Sequence, residues 1–128
     1  MTKSQQNPAS APIYRVNKFA VPTEARDAFL DILESTHALM RRQDGFVRSL
    51  LLEQQAGPDL THVVALHEFA GDAVAQRITA AIAVADKEAG FDRQAVVAGL
   101  GVKADMGNFR ALELQPSSRQ RRKSGFPQ

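Results

Sequence analysis

The chain predicts an α+β sandwich with the element order βαββαβ: a four-stranded antiparallel sheet carrying its helices on one face. Three observations predict it. Between Ile13 and Leu114, short β-branched and aromatic runs alternate with two long segments of helical period. The middle two strands are separated only by Ala56-Gly57-Pro58-Asp59, a turn that makes them a hairpin. Both central strands carry continuous apolar runs, Leu50-Leu51-Leu52 and Val63-Val64-Ala65-Leu66, as expected of strands covered on both sides. Right-handed crossovers place both helices on the same side of the sheet, which is the ferredoxin-like arrangement.

Each element has its own signals. Residues 1–11 are polar and read as a disordered lead-in. Strand one spans about 12–20. Pro22 suits the first turn of a helix, and Glu24 and Asp27 favour the positive end of its dipole. Ala25, Phe29, Ile32, Leu33, Thr36 and Met40 then recur along one face, and Asp44-Gly45 stops the helix. Strand two runs from Phe46 to Glu53 and strand three from His62 to Phe69. Helix two starts at Gly71-Asp72, shows the stripe Val74, Ile78, Ala81, Ile82, Ala85 and Ala89, and ends at Gly90. Asp92 caps a short helix to about Ala98, and Met106 to Leu114 reads as the last strand. The domain is expected over 12–115, with a basic, disordered tail over 116–128.

Composition narrows the function. At 128 residues the chain is long enough for one domain with its own core. There is no cysteine, so disulfides and thiolate metal sites are excluded. The three histidines, His37, His62 and His67, have no helical i, i+4 partner, and no metal site is expected. No apolar run approaches a membrane span and no secretory signal is visible, so a cytoplasmic protein without membrane contact is expected. The net charge of +2 hides a segregation. Residues 12–116 hold 11 Lys/Arg against 14 Asp/Glu, while Arg119, Arg121, Arg122 and Lys123 crowd the tail. An acidic domain argues against nucleic acid as a partner, and strand three lacks the glycine and spaced aromatics of an RNA-recognition strand. Nucleotide-loop and serine-nucleophile motifs are absent.

An uncovered apolar sheet face needs a second layer. An identical sheet brought across a two-fold axis supplies it, so a homodimer is expected. The residue that breaks the pattern is Asn17, an amide in the middle of strand one. Alternation puts it on one face with Ile13, Arg15 and Phe19. On the helix face it would look into the space where ligands sit; at an edge it would be satisfied by backbone. His67 shares a face with Val63, Ala65 and Phe69, and His37 lies at the edge of the helix-one stripe. Histidine titrates near neutrality and suits proton abstraction from a phenol or enol; either one could equally be a satisfied packing residue. Asn17, His67 and His37 are the catalytic candidates. Phe69, Phe19 and Arg15 are the substrate-binding candidates. Tyr14 has the opposite parity and falls to the expected dimer face.

The sequence resembles the antibiotic biosynthesis monooxygenase (ABM) domain family. The resemblance rests on Val16-Asn17-Lys18-Phe19-Ala20-Val21-Pro22, Gly45-Phe46-Val47, His67-Glu68-Phe69 before Ala73, and Ala104-Asp105-Met106-Gly107-Asn108-Phe109. It implies a dimeric α/β barrel and a cofactor-independent oxygenase acting on a small phenol-, anthrone- or quinol-like molecule. Asn17 matches a first-strand asparagine that, in several active members, bonds the bound ligand. Phe69 stands where the family often has tryptophan, and helix two lacks the histidine of haem-degrading members. The alternative of a different class is a non-catalytic dimer that binds a small apolar ligand or serves structurally.

Overall fold

A computed structural model describes residues 11–114, so the expectations for the lead-in and the basic tail lie outside the described residues. The elements are β1 (Ile13–Pro22), a 3₁₀ turn (Thr23–Ala25), α1 (Arg26–Arg41), β2 (Phe46–Gly57), β3 (Leu60–Phe69), α2 (Asp72–Ala89), α3 (Arg93–Gly99) and β4 (Lys103–Phe109). The sheet order is β2-β3-β1-β4, and every pairing is antiparallel. This is the ferredoxin-like α+β fold expected from the element order.

The boundaries differ from expectation in several places. β2 runs on to Gly57 and β3 starts at Leu60, so the hairpin turn tightens to Pro58-Asp59. Pro22 closes β1 rather than opening α1, because the 3₁₀ turn intervenes. The last strand is Lys103–Phe109, earlier than the 106–114 read from the apolar residues. Its length is set by its partner: Lys103 pairs with Ala20 and Phe109 with Tyr14, where β1 runs out. Leu112 and Leu114, which extended the sequence pattern, are exposed. Asp92 caps α3 as expected, its carboxylate accepting from the Ala95 amide at 3.1 Å.

Alternation sorts each strand. Ile13, Phe19 and Val21 of β1 and Thr61, Val63, Ala65, His67 and Phe69 of β3 are buried towards the helices. The core on that side is split. One cluster holds Phe19, Val21, Ala25, Phe29, Val63, Ala65 and Val102. The other holds Ile13, Met40, Phe69, Ala75 and Ile78. Between them on β1 stand only Arg15 and Asn17, polar residues where an apolar pair would have joined the clusters. Gly45 lets α2 approach the turn before β2: its φ is +89°, and a Cβ there would lie 2.5 Å from Val74.

The other sheet face is open. Leu50 and Leu52 of β2 pair with Leu66 and Val64 of β3, and Phe109 of β4 pairs with Tyr14 of β1. Leu50, Leu52 and Phe109 are 54%, 49% and 56% exposed. Among the described residues no helix is long and apolar enough to cross a membrane.

Candidate active site

The gap between the two core clusters is a cavity of about 820 Å³. Its floor is the helix-side face of the sheet: Arg15, Asn17 and Phe19 from β1, Ala65 and His67 from β3, and Ala104, Met106 and Asn108 from β4. Ile32, Leu33, Thr36, His37 and Met40 of α1 face it, with Thr79 and Ile82 of α2. α3 contributes Arg93, Gln94, Val97 and Ala98. None of the described residues around the cavity is an aspartate or glutamate.

Five of the six residues singled out in the sequence meet here: Arg15, Asn17, Phe19, His37 and His67. Phe69 does not reach the cavity. It is fully buried in the second core cluster, beneath the Arg15 guanidinium, whose carbon stands 5.1 Å from the ring centre. Its role is to support Arg15 and His67, whose ring lies 6.3 Å away.

Asn17 Oδ1 is buried and accepts no hydrogen bond. A buried acceptor left unpaired costs roughly 1–3 kcal/mol, so this oxygen favours any donor that enters the cavity. The neighbouring strands cannot satisfy it, since the residues opposite are Ala65 and Met106.

His67 is 5% exposed. Its Nδ1 lies 2.5 Å from Ser49 Oγ, directly across the β2–β3 pair. Burial first, then the nearby His37 and Arg15, push its pKa down to about 4. The ring is therefore neutral at physiological pH. His37 stacks 6.5 Å from His67 and edge-on to Phe46. Its own pKa is lowered by burial and, secondarily, by Arg41.

Arg15 is held by two neutral oxygens. Its Nε donates to Asn108 Oδ1 at 3.0 Å and one terminal nitrogen to Thr79 Oγ1 at 2.9 Å. Burial lowers its pKa. Arg93, the other arginine at the cavity, is differently placed. It makes a two-pronged pair with Asp86 at 2.9 and 3.0 Å and donates to Thr36 Oγ1 at 2.7 Å. Among the described residues no cluster of three His, Cys, Asp or Glu side chains is arranged to hold a metal ion.

Sequence reasoning missed Ser49, Thr79, Asn108 and Arg93. Thr79 was within reach, because it follows Ile78 and lies one turn before Ile82, both on the stripe of α2. Asn108 pairs with Arg15 only through a register that nothing in β4 announces.

The sequence matches the antibiotic biosynthesis monooxygenase family over residues 12–70. No curated protein matches it. Among solved structures, a cofactor-independent oxygenase from Streptomyces nogalater, SnoaB, is 25% identical with a TM-score of 0.61; the match covers 83% of this chain and 98% of that one. A candidate monooxygenase from Shewanella loihica PV-4 superposes with a TM-score of 0.62 at 19% identity, covering 82% and 98% of the two chains. A dimeric ferredoxin-like protein from an uncultured marine organism gives 0.55 at 15% identity, covering 81% and 99%. The last two likenesses speak to the fold alone. The stretch that holds every sequence candidate meeting in the cavity, β1 through β3, is thus the part of the chain that matches the antibiotic biosynthesis monooxygenase family.

Proposed function

We propose that the protein is a cofactor-independent monooxygenase of the ABM type, acting on a small hydroxylated aromatic with dioxygen. The observation that carries this reading is the unpaired Asn17 oxygen at the floor of a cavity with mostly apolar walls. An amide there can accept from a substrate hydroxyl. Turned about its last bond, it can donate to the oxyanion left when that hydroxyl loses its proton. The anion is electron-rich enough to react with dioxygen directly. In the overall step one oxygen atom becomes a ring carbonyl, and the other leaves as water with the two displaced hydrogens. The ring supplies the electrons, so the reading invokes no cofactor. His67 is the proposed proton acceptor, with His37 as the second candidate. Phe19 and Arg15 position the ring, and Phe69 acts from beneath them. We place the active form in the cytoplasm as a homodimer joined through the open sheet face.

One observation favours the alternative, a non-catalytic dimer that binds a small ligand. An imidazole with a pKa of about 4 is a weak base. Oxygen uptake with a panel of anthrones and quinols separates the two readings. Asn17→Ala should fold normally, within about 1 kcal/mol of the parent, because the lost oxygen had no partner. Oxygenation should fall by roughly 10²-fold or more, as for loss of an oxyanion donor. A fully active Asn17→Ala protein would remove the amide from the mechanism.

A further inference from the structure

Among the described residues around the cavity, Arg15 is the one guanidinium that no carboxylate neutralises. The two histidines are held towards their neutral forms, and Arg93 is paired with Asp86. Arg15 is different. Its two bonds go to Asn108 and Thr79, neutral oxygens that fix the plane of the guanidinium without cancelling its charge. A guanidinium carries five N–H donors, so three remain for something else. No Asp or Glu among the described residues lies around the cavity to take them. A positive charge partly removed from water with only neutral acceptors is unfavourable unless a bound anion completes it.

We propose that the cavity is built for an aromatic acid: a flat, hydroxylated ring system whose carboxylate pairs with Arg15 while its hydroxyl meets Asn17. The proposal rests on the oxygenase reading for taking the cavity as the substrate site. It adds the chemical class of the substrate. Arg15 and Asn17 are two residues apart on one strand face, so their Cα atoms are separated by about 6.5–7 Å. A hydroxyl and a carboxylate on one ring at adjacent positions would sit too close together for both contacts. Groups at opposite ends of a fused bicycle fit the separation. The planar, prefixed guanidinium matches a carboxylate in two-pronged fashion, which an ammonium cannot do.

The test uses the full chain, with 6-hydroxy-2-naphthoate and its methyl ester as probes in titration calorimetry at pH 7.5. The acid should bind about 10- to 100-fold tighter than the ester, as expected for a charge-assisted pair. Arg15→Met should bring the two affinities within about threefold while keeping the stem over Phe69. Arg15→Lys should retain part of the preference. If Arg15→Met does not fold, the wild-type comparison and the lysine variant still decide. The proposal is overturned by an ester that binds as well as the acid, by a preference that survives in Arg15→Met, or by neither probe binding at about 1 mM. Oxygen uptake is scored separately. Arg15-dependent acid binding without oxygen uptake on any hydroxylated aromatic would sink the oxygenase reading and leave this one standing. Equal turnover of a neutral anthrone and its carboxylated counterpart would do the reverse.

Discussion

His67 shows how a fold changes the chemistry read from a residue type. As a free side chain it would titrate near neutrality; here burial, His37 and Arg15 hold its pKa at about 4. Facing it are Ser49, His37 and Arg15, none of which carries a negative charge. Proton acceptance therefore needs an anion in the cavity, which would stabilise the imidazolium. The same shift makes a stability prediction. A depressed folded-state pKa means the unfolded chain takes up the proton first. Stability is complete above the unfolded value near 6.5 and is lost as pH falls through the interval down to about 4. From pH 7.5 to pH 5 the loss from this group alone should be about 2 kcal/mol. Urea unfolding at the two pH values should show that loss in the parent and not in His67→Gln, whose amide still reaches Ser49. Equal losses in both proteins would mean that His67 is not the group held neutral.

Among the elements, β2 shows where legibility stopped. The leucine triplet announced a strand covered on both sides, and Pro58-Asp59 announced the hairpin. A plain hairpin about that turn would keep the pairing of Gly57 with Leu60 along its length. It would then set Ser49 opposite Glu68 and Leu50 opposite His67. The register slips by one between Gln55 and Gly57, so Ser49 faces His67 and Leu51 faces Ala65. One extra residue turns every following side chain to the other face of the sheet. Asn17, by contrast, was placed correctly by parity alone, because β1 pairs without a slip. The fold and the composition of the cavity floor from β1 and β3 were legible from alternation. The partners Ser49 and Asn108 were not, since they follow from pairings between distant strands. The slip also assigns the triplet: Leu51 lines the cavity, whereas Leu50 and Leu52 lie on the open face. Leu51→Asp should therefore keep the parent's mass in solution and weaken binding of 6-hydroxy-2-naphthoate by roughly tenfold or more, through like-charge repulsion. A change of mass without a change of affinity would place Leu51 on the wrong side.

For the whole molecule, the two sheet faces divide the work. The helix face spends its centre on a cavity and keeps its apolar packing at the two ends. The open face does the opposite. Val16, Leu50, Leu52, Val64 and Leu66 run across β1, β2 and β3, and Phe109 extends the patch onto β4. Charges lie around it, with Arg48 and Glu68 paired at 2.8 Å towards one end and Lys18, Lys103 and Asp105 towards the other. An antiparallel sheet facing water on one side should show polar residues there. An apolar centre inside a charged border is instead the composition of an interface. A second copy turned through a two-fold axis presents the same centre and the same border, and it leaves the cavity on the far face untouched. Sedimentation velocity at about 10 μM should therefore give twice the chain mass, a concentration at which a face of this kind is expected to be paired. Leu52→Asp should abolish it. The carboxylate would be buried under the second layer with only Lys18 in its row of the sheet to offset it, at a cost of several kcal/mol. The product should be a monomer that binds the cavity probe, or an insoluble chain. A parent protein of monomeric mass would leave the apolar centre of the sheet without its cover and overturn the paired-sheet assembly, whatever the cavity binds.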